Sequence, residues 1–149
     1  MGNKREEAAH LLLVSNEQIR GYLLKLLEDN KYLPVVVVEP NEMLKTLKEH
    51  QSATVFLDCD AVSYYGAGIY SKIKVACHSC KVVLLCDRSH ESHRDTARQA
   101  MDIGIYACLW APYEGWEVLA MVRHTPGKKQ PGKKTLKKKA ANKSPGGGG

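Results

Sequence analysis

The sequence predicts an α/β protein with three layers, in which a doubly wound, five-stranded parallel sheet is covered by helices on both faces. Short apolar runs with β-branched residues alternate with segments of helical period, which is typical of such a sheet. A length of 149 residues suits one domain. No apolar run approaches the roughly 18 residues of a membrane-spanning helix, so we expect no membrane contact.

Five apolar runs predict the strands. They cover residues 11–14, 35–38, 54–57 and 82–85, with a weaker run at 106–109. Each is short enough to be a buried strand, and each is followed by a segment of helical character. The chain is therefore predicted to repeat a strand-helix unit five times.

The first two helices are predicted from apolar residues that recur at helical spacing. In the first helix these are Ile19, Tyr22, Leu23, Leu26 and Leu27. The second helix is expected to begin at Asn41, a good N-cap residue, and to bury Met43, Leu44 and Leu47.

The remaining helices are predicted after the third, fourth and fifth runs. Ile69 and Ile73 indicate the third helix, which follows the flexible segment 66–68. The fourth covers about residues 92–102, with Gly104 available as a left-handed cap and with apolar contacts from Ala97, Ala100 and Met101. The last contains Trp116, Leu119 and Val122.

The functional crevice of a doubly wound sheet lies at the carboxyl ends of its strands. The residues that follow the predicted strands are therefore the candidate site residues. They include Ser15, Asn16, Asp58, Asp60, Cys86, Asp87 and Ala111. No glycine-rich loop follows any strand, which argues against a nucleotide-binding fold of the Rossmann or P-loop kind.

Residues 10–124 resemble the receiver domains of two-component response regulators. Asp58 ends the run at 54–57, Gly66 follows eight residues later, and residues 103–113 are similar to the family stretch that ends in a lysine and a proline. The resemblance implies a flavodoxin-like fold over residues 9–124 with sheet order 2-1-3-4-5. It also implies that Asp58 stands at the phosphoacceptor position and that the bond between Ala111 and Pro112 is cis.

Several functional positions of the family carry other residues in this sequence. Ser15 and Asn16 stand where the family has two acidic residues that hold magnesium. Cys86 replaces the hydroxyl residue that binds the phosphoryl group, Ala111 replaces the lysine, and Cys108 replaces the switch aromatic residue. The resemblance therefore implies that most of the phosphorylation machinery is missing.

This loss of positive charge predicts a pseudo-receiver, because phosphoryl transfer needs cations to stabilise the developing charge. Asp58 and Asp60 could attract a divalent cation such as Mg²⁺, but no metal site and no cofactor are predicted. We expect a non-enzymatic signalling domain that contacts a protein partner, such as a histidine kinase or an output protein. Alternatively, Asp58 has a structural role and caps the turn after its strand.

The cysteines and histidines offer a second kind of site. Cys77 and Cys80 form a C-x-x-C motif, and with His90 and His93 they mimic a zinc-finger spacing. The run at 82–85 lies between the two pairs, so we expect them at opposite ends of the sheet. A redox role of the cysteine pair is left open, although the motif precedes a strand instead of opening a helix.

The charge of the chain is concentrated at its C-terminal end. Residues 126–149 hold eight lysines and no acid. The formal charge of the whole chain is +6, so the residues before this segment have a formal charge of −2. Residues 125–149 are predicted to be a disordered tail. It offers an alternative function as a DNA-associated protein through nonspecific binding by Lys128, Lys129, Lys133, Lys134, Lys137, Lys138 and Lys139.

Aromatic residues beyond those that a core needs predict a contact surface. They are Tyr64, Tyr65, Tyr106, Trp110, Tyr113 and Trp116. A homodimer formed through the fourth and fifth strand-helix units would use such a surface. The N-terminus has no secretory signal, and the cysteines are an odd number suited to reduced thiols, so a cytoplasmic location is expected.

Overall fold

A computed structural model of the chain describes residues 8–50 and 52–123, which form five strands and six helices. The strands are β1 (Ala9–Leu13), β2 (Val35–Val36), β3 (Ala53–Asp58), β4 (Lys81–Cys86) and β5 (Ala107–Trp110). The helices are α1 (Glu17–Asp29), α2 (Pro40–Lys48), α3 (Cys59–Tyr65), α4 (Gly68–Ala76), α5 (Glu91–Ile103) and α6 (Gly115–Arg123). The predicted tail, with its lysines, lies outside the described residues.

The strands form one parallel sheet in the order β2-β1-β3-β4-β5. Leu13 pairs with Leu57 and Asp58 pairs with Leu85, so the carboxyl ends of the three central strands meet at one edge. This arrangement confirms the predicted fold class and strand order. It also brings the candidate site residues to a common edge of the sheet.

Two apolar clusters lie on opposite faces of the sheet. Alternate residues of β3 point to opposite sides, with Val55 and Leu57 in one cluster and Phe56 in the other. Buried side chains of α2, α3, α4 and α5 complete the first cluster, and those of α1 and α6 complete the second. Burial on both faces explains why β3 and β4 are continuous apolar runs in the sequence.

One helix was missing from the sequence prediction. The chain has two helices between β3 and β4, α3 and α4, where the apolar spacing predicts only the second. The Asp58 side chain caps α3 by accepting a hydrogen bond from the Ala61 amide, and Gly66 ends that helix at a φ of 93°. The prediction of five strand-helix repeats is therefore wrong in this segment.

Three smaller predictions are also wrong. Helix α2 begins at Pro40 with Glu39 as its N-cap residue, so Asn41 lies inside the helix. The second strand stops at Val36, and Val38 is 72% exposed, because this edge strand pairs with β1 through only two register positions. Met101 was expected in the core but is half exposed on α5. The left-handed cap at Gly104 and the cis bond between Ala111 and Pro112 agree with expectation. No helix among the described residues has the length and apolar character needed to cross a bilayer.

Candidate functional site at the carboxyl edge of the sheet

The Asp58 carboxylate is buried and accepts three hydrogen bonds from the backbone. Its Oδ1 accepts hydrogen bonds from the amides of Ser15 and Ala61, both at 3.0 Å, and its Oδ2 accepts one from the amide of Asn16 at 2.8 Å. The residue is only 2% exposed. Three backbone donors therefore hold the carboxyl group in one position at the end of β3.

The segment between β1 and α1 is folded onto Asp58. Asn16 is the N-cap of α1, and its side-chain oxygen accepts from the amides of Gln18 and Ile19 at 2.9 and 3.0 Å. Its own amide is therefore directed at Asp58 while its side chain is used in the helix cap. Neither Ser15 nor Asn16 contributes a negative charge to this edge.

A small cavity of about 50 Å³ lies beside Asp58. Its titratable lining residues are Asp58, Cys59, Asp60, Asp87, His90, His93 and Tyr113, and Asn16, Ile19 and Leu85 complete it. No lysine or arginine is among these described lining residues. Two arginines that are close in sequence to lining residues have other contacts, since Arg20 donates to the Val14 carbonyl at 2.7 Å and Arg88 lies over the Trp110 ring.

Asp87 is held by short-range hydrogen bonds at the rim of this cavity. Its carboxylate accepts from the amide and the hydroxyl of Ser89 at 2.9 and 2.8 Å. These two hydrogen bonds lower the pKa of Asp87 below its usual range, and the one from the Ser89 amide is the larger cause. Asp87 therefore adds a negative charge that its own turn already stabilises.

His93 contacts the backbone of the same turn, at Asp87. Its Nδ1 accepts a hydrogen bond from the Asp87 amide at 3.0 Å, and its ring stacks on that of His90 with 4.7 Å between ring centroids. An imidazole nitrogen that accepts a hydrogen bond carries no proton, so this contact requires the neutral ring. The sequence placed both histidines near the crevice but gave no sign of this contact.

The segment after β5 is hydrogen-bonded to the end of β4. The Tyr113 hydroxyl donates to the Cys86 carbonyl at 2.7 Å, and the Ala111 amide donates to the same carbonyl at 2.9 Å. Burial is the main cause that raises the pKa of Tyr113 above its usual range. A tyrosine hydroxyl thus approaches the end of β4 close to Ala111, and it supplies no positive charge.

Cys86 and Cys108 lie below the cavity in the apolar layer. The Cys59 and Cys86 sulfurs are 3.2 Å apart, and Cys86 also hydrogen-bonds Cys108. These thiol contacts, with burial, raise the pKa of Cys86 well above its usual range. The Cys86 thiol is therefore directed at other thiols, and neither Cys86 nor Ala111 is among the residues that line the cavity.

The residues at this edge do not fit the magnesium ion that the receiver resemblance implies. Magnesium prefers oxygen ligands with charged carboxylates, whereas Ser15 and Asn16 direct amide donors at Asp58. A cation would compete with those donors for the carboxylate. Within the part of the chain that the structure describes, no three His, Cys, Asp or Glu side chains group as a metal site.

Comparison with solved structures identifies the fold. The N-terminal signal receiver domain of a response regulator from Bacteroides fragilis matches 83% of this chain and all of that chain, with a TM-score of 0.64 and 18% identity. The chain has the fold of a response-regulator receiver domain. NtrX from Brucella abortus, solved with ADP, matches 78% of this chain with a TM-score of 0.62 and 21% identity.

The receiver fold also occurs in structures with other names. A putative pilus assembly protein, cpaE, from Burkholderia thailandensis matches 78% of this chain and 96% of that chain, at a TM-score of 0.58 and 15% identity. This chain spans about a quarter of the matched NtrX chain, 26% of its length. No model of a protein family and no curated protein matches the sequence.

The receiver fold separates the two halves of the apparent zinc motif. Cys77 and Cys80 precede β4, whereas His90 and His93 follow it at the opposite end of the sheet. The aromatic residues are also dispersed. Tyr64 is 81% exposed on α3, Tyr106 is half exposed before β5, and Trp116 is 68% exposed on α6.

Proposed function

We propose that this receiver-fold domain acts in signal transduction through protein contacts and without phosphorylation of Asp58. The observation that carries the proposal is the set of three backbone amides that hold the Asp58 carboxylate. Oδ1 already accepts two amides and Oδ2 accepts one, so phosphorylation of Oδ1 would displace an amide, and attack by Oδ2 would have to use its one remaining lone pair. The partner class that this function favours is a histidine kinase or an output protein.

Charge supports the same proposal. A phosphoryl group on Asp58 would bring more negative charge next to Asp60 and Asp87, in a cavity whose described lining holds no lysine or arginine. The transferred group needs positive charge on its equatorial oxygens to pass through the transition state. The only lining groups able to become cationic are His90 and His93, and the Asp87 contact of His93 requires its neutral form.

Phosphorylation by a small-molecule phosphodonor with Mg²⁺ tests the proposal. We expect no mass increase in the intact protein, whereas a receiver domain with a complete acidic pair and lysine gains one phosphoryl group under the same conditions. A variant with Ser15→Asp, Asn16→Asp and Ala111→Lys is the matched gain-of-function control. Stoichiometric labelling of the unaltered chain, lost in Asp58→Asn, would overturn the proposal.

The contact surface that we propose lies on α5, β5 and α6. Met101, Ile103 and Tyr106 are each 50% exposed and follow one another around the end of α5, and Trp116 is exposed at the start of α6. Large apolar side chains on a surface are typical of protein contacts. This is the location predicted for a homodimer through the fourth and fifth strand-helix units.

A second candidate function is nonspecific nucleic-acid binding by the lysine-rich residues 126–149. The eight lysines in this segment favour it, because each phosphate contact releases a counterion. A salt titration of duplex DNA binding, with and without these residues, tests it. We expect affinity that falls steeply with salt and is lost on truncation, and equal affinities would remove this candidate. The cytoplasmic location is still a prediction from the sequence.

A further inference from the structure

The C-x-x-C motif at the amino edge of the sheet forms a close thiol pair. Cys77 and Cys80 are the two ends of a four-residue turn in which the Cys80 amide donates to the Cys77 carbonyl at 3.2 Å. Residues closed by such a turn have Cα atoms less than about 7 Å apart, within the range of disulfides. Both side chains are buried in the same apolar cluster.

We propose that Cys77 and Cys80 form a reversible redox pair, in which Cys77 is the attacking thiol and Cys80 is the resolving thiol. The pair lies at the opposite end of the sheet from Asp58, so the inference does not depend on the proposed function. Cys80 lines a cavity of about 180 Å³ together with Lys74 and Tyr106. That cavity reaches the Cys80 end of the turn, and Cys77 is not among its lining residues.

The surroundings of the two sulfurs distinguish their roles. The Cys80 thiol is the main cause that lowers the pKa of Cys77, to about 7, and the Ser79 amide and Lys74 act in the same direction. The same thiol contact and burial raise the pKa of Cys80. Cys77 is therefore partly ionised near neutral pH, while Cys80 keeps its proton and donates it to the thiolate.

The oxidation is balanced with hydrogen peroxide as the oxidant. The Cys77 thiolate attacks one peroxide oxygen, a sulfur–oxygen bond forms, and the oxygen–oxygen bond breaks to release hydroxide. The Cys80 sulfur then attacks the Cys77 sulfenic acid, and water leaves as the disulfide forms. Overall the two thiols lose two electrons and two protons, and one peroxide becomes two waters.

Another close pair in the chain provides an internal comparison. The Cys59 and Cys86 sulfurs are only 3.2 Å apart, and both residues are buried, as Cys77 and Cys80 are, but the pKa of Cys86 is raised whereas that of Cys77 is lowered. Buried thiols with raised pKa values react slowly. We therefore expect the disulfide to form between Cys77 and Cys80 and not between Cys59 and Cys86, although the latter two sulfurs are also close.

Peptide mapping of the full chain tests the inference without any variant. Trypsin cleaves after Lys74 and Lys81, so residues 75–81 carry Cys77 and Cys80 and no other cysteine. After treatment with stoichiometric hydrogen peroxide and alkylation, we expect this peptide to be unalkylated and lighter by two hydrogens, and a dithiol reductant to reverse the change. An alkylated 75–81 peptide, or a disulfide first formed at Cys59 and Cys86, would overturn the inference.

The pH profile of Cys77 alkylation by iodoacetamide is the second readout. We expect a midpoint near pH 7 in the native chain. In Cys80→Ala, which removes the donor, the midpoint should move toward that of an ordinary thiol, and the rate at pH 7 should fall roughly tenfold. Cys59→Ala is the control and should leave the profile unchanged. A native midpoint near 8.5, or a profile that Cys80→Ala leaves unmoved, would contradict the inference.

Discussion

The amide of Asn16 donates to Oδ2 of Asp58 at 2.8 Å, across 42 residues of sequence. This bond and the adjacent one from Ser15 join the segment after β1 to the end of β3. The carboxylate at the end of β3 thus serves as an acceptor for backbone donors. Asp58 therefore has a structural role at this edge of the sheet.

Replacement of Asp58 should destabilise the fold. Asp58→Ala leaves three amides without their acceptor and removes the cap of α3, so we expect the free energy of unfolding to fall by about 2–4 kcal/mol. Chemical denaturation measures the change. Asp60→Ala is the matched control, because Asp60 is exposed two residues away, and it should change stability by less than about 0.5 kcal/mol. Equal effects of the two variants would contradict a structural role of Asp58.

A buried lysine makes the free energy of unfolding depend on pH in the alkaline range. Lys81 is 2% exposed, its Nζ donates to the Met121 carbonyl of α6, and burial lowers its pKa to about 8 from 10.5. Between pH 8 and pH 10.5 the unfolded chain binds more protons than the folded chain, so the free energy of unfolding rises with pH across this window. The stability gained at high pH is lost again as the pH falls through 8. We expect the unfolding free energy of the native chain minus that of Lys81→Met to increase by about 1–3 kcal/mol as the pH rises over this window.

The Lys81 prediction is checked by denaturation at several pH values from 7 to 10.5. Comparing the native chain with Lys81→Met cancels groups that titrate in both proteins, such as Cys77. Lys72→Met is a control, since Lys72 is an exposed lysine on α4. Parallel stability curves for the native chain and Lys81→Met would show that the Lys81 amine is solvated in the folded protein.

The tautomer of His93 is a direct test of the geometry at Asp87. Because Nδ1 accepts from the Asp87 amide, we expect a neutral ring with its proton on Nε2. Nitrogen chemical shifts of the imidazole at neutral pH distinguish the two tautomers. His78 is exposed in the turn between Cys77 and Cys80, and serves as the solvated reference. Protonation of His93 on Nδ1 would exclude the contact.

The exposed side chains of α5 and α6 predict self-association. We expect the average mass from light scattering to rise with protein concentration, because a dimer would cover Trp116 and Tyr106. Trp116→Ser and Tyr106→Ser should each weaken the association about tenfold or more. Tyr64→Ser on α3 is the control, as Tyr64 is more exposed than either residue. A monomer at all concentrations, or equal weakening by Tyr64→Ser, would contradict a dimer through this surface.

The sheet was predictable from the sequence because β3 and β4 are buried on both faces. Their continuous apolar runs define the strands, and the residues after them define the functional edge. Helix α3 could not be found in the same way, since it is short and begins at a cap whose other hydrogen bonds come from the distant β1 segment. Local spacing carries no information about such long-range contacts.

The sequence identified which residues surround Asp58 better than what they do there. Ser15 and Asn16 were singled out for the charge that they lack, but their role comes from backbone amides, which every residue except proline possesses. Lys81 was not anticipated, because a lysine next to an apolar run is usually solvated. Its burial depends on the α6 carbonyl that the fold brings to β4.

Hydrogen exchange at the amides of Ser15, Asn16 and Ala61 tests most directly whether the Asp58 carboxylate is held by the backbone. Ser15 and Asn16 are exposed, so their amides should exchange rapidly unless they are bonded to Asp58. We predict slow exchange of all three amides in the native chain and in Asp60→Ala, and rapid exchange of the Ser15 and Asn16 amides in Asp58→Ala. Rapid exchange of these two amides in the native chain would show a free carboxylate and would contradict the account.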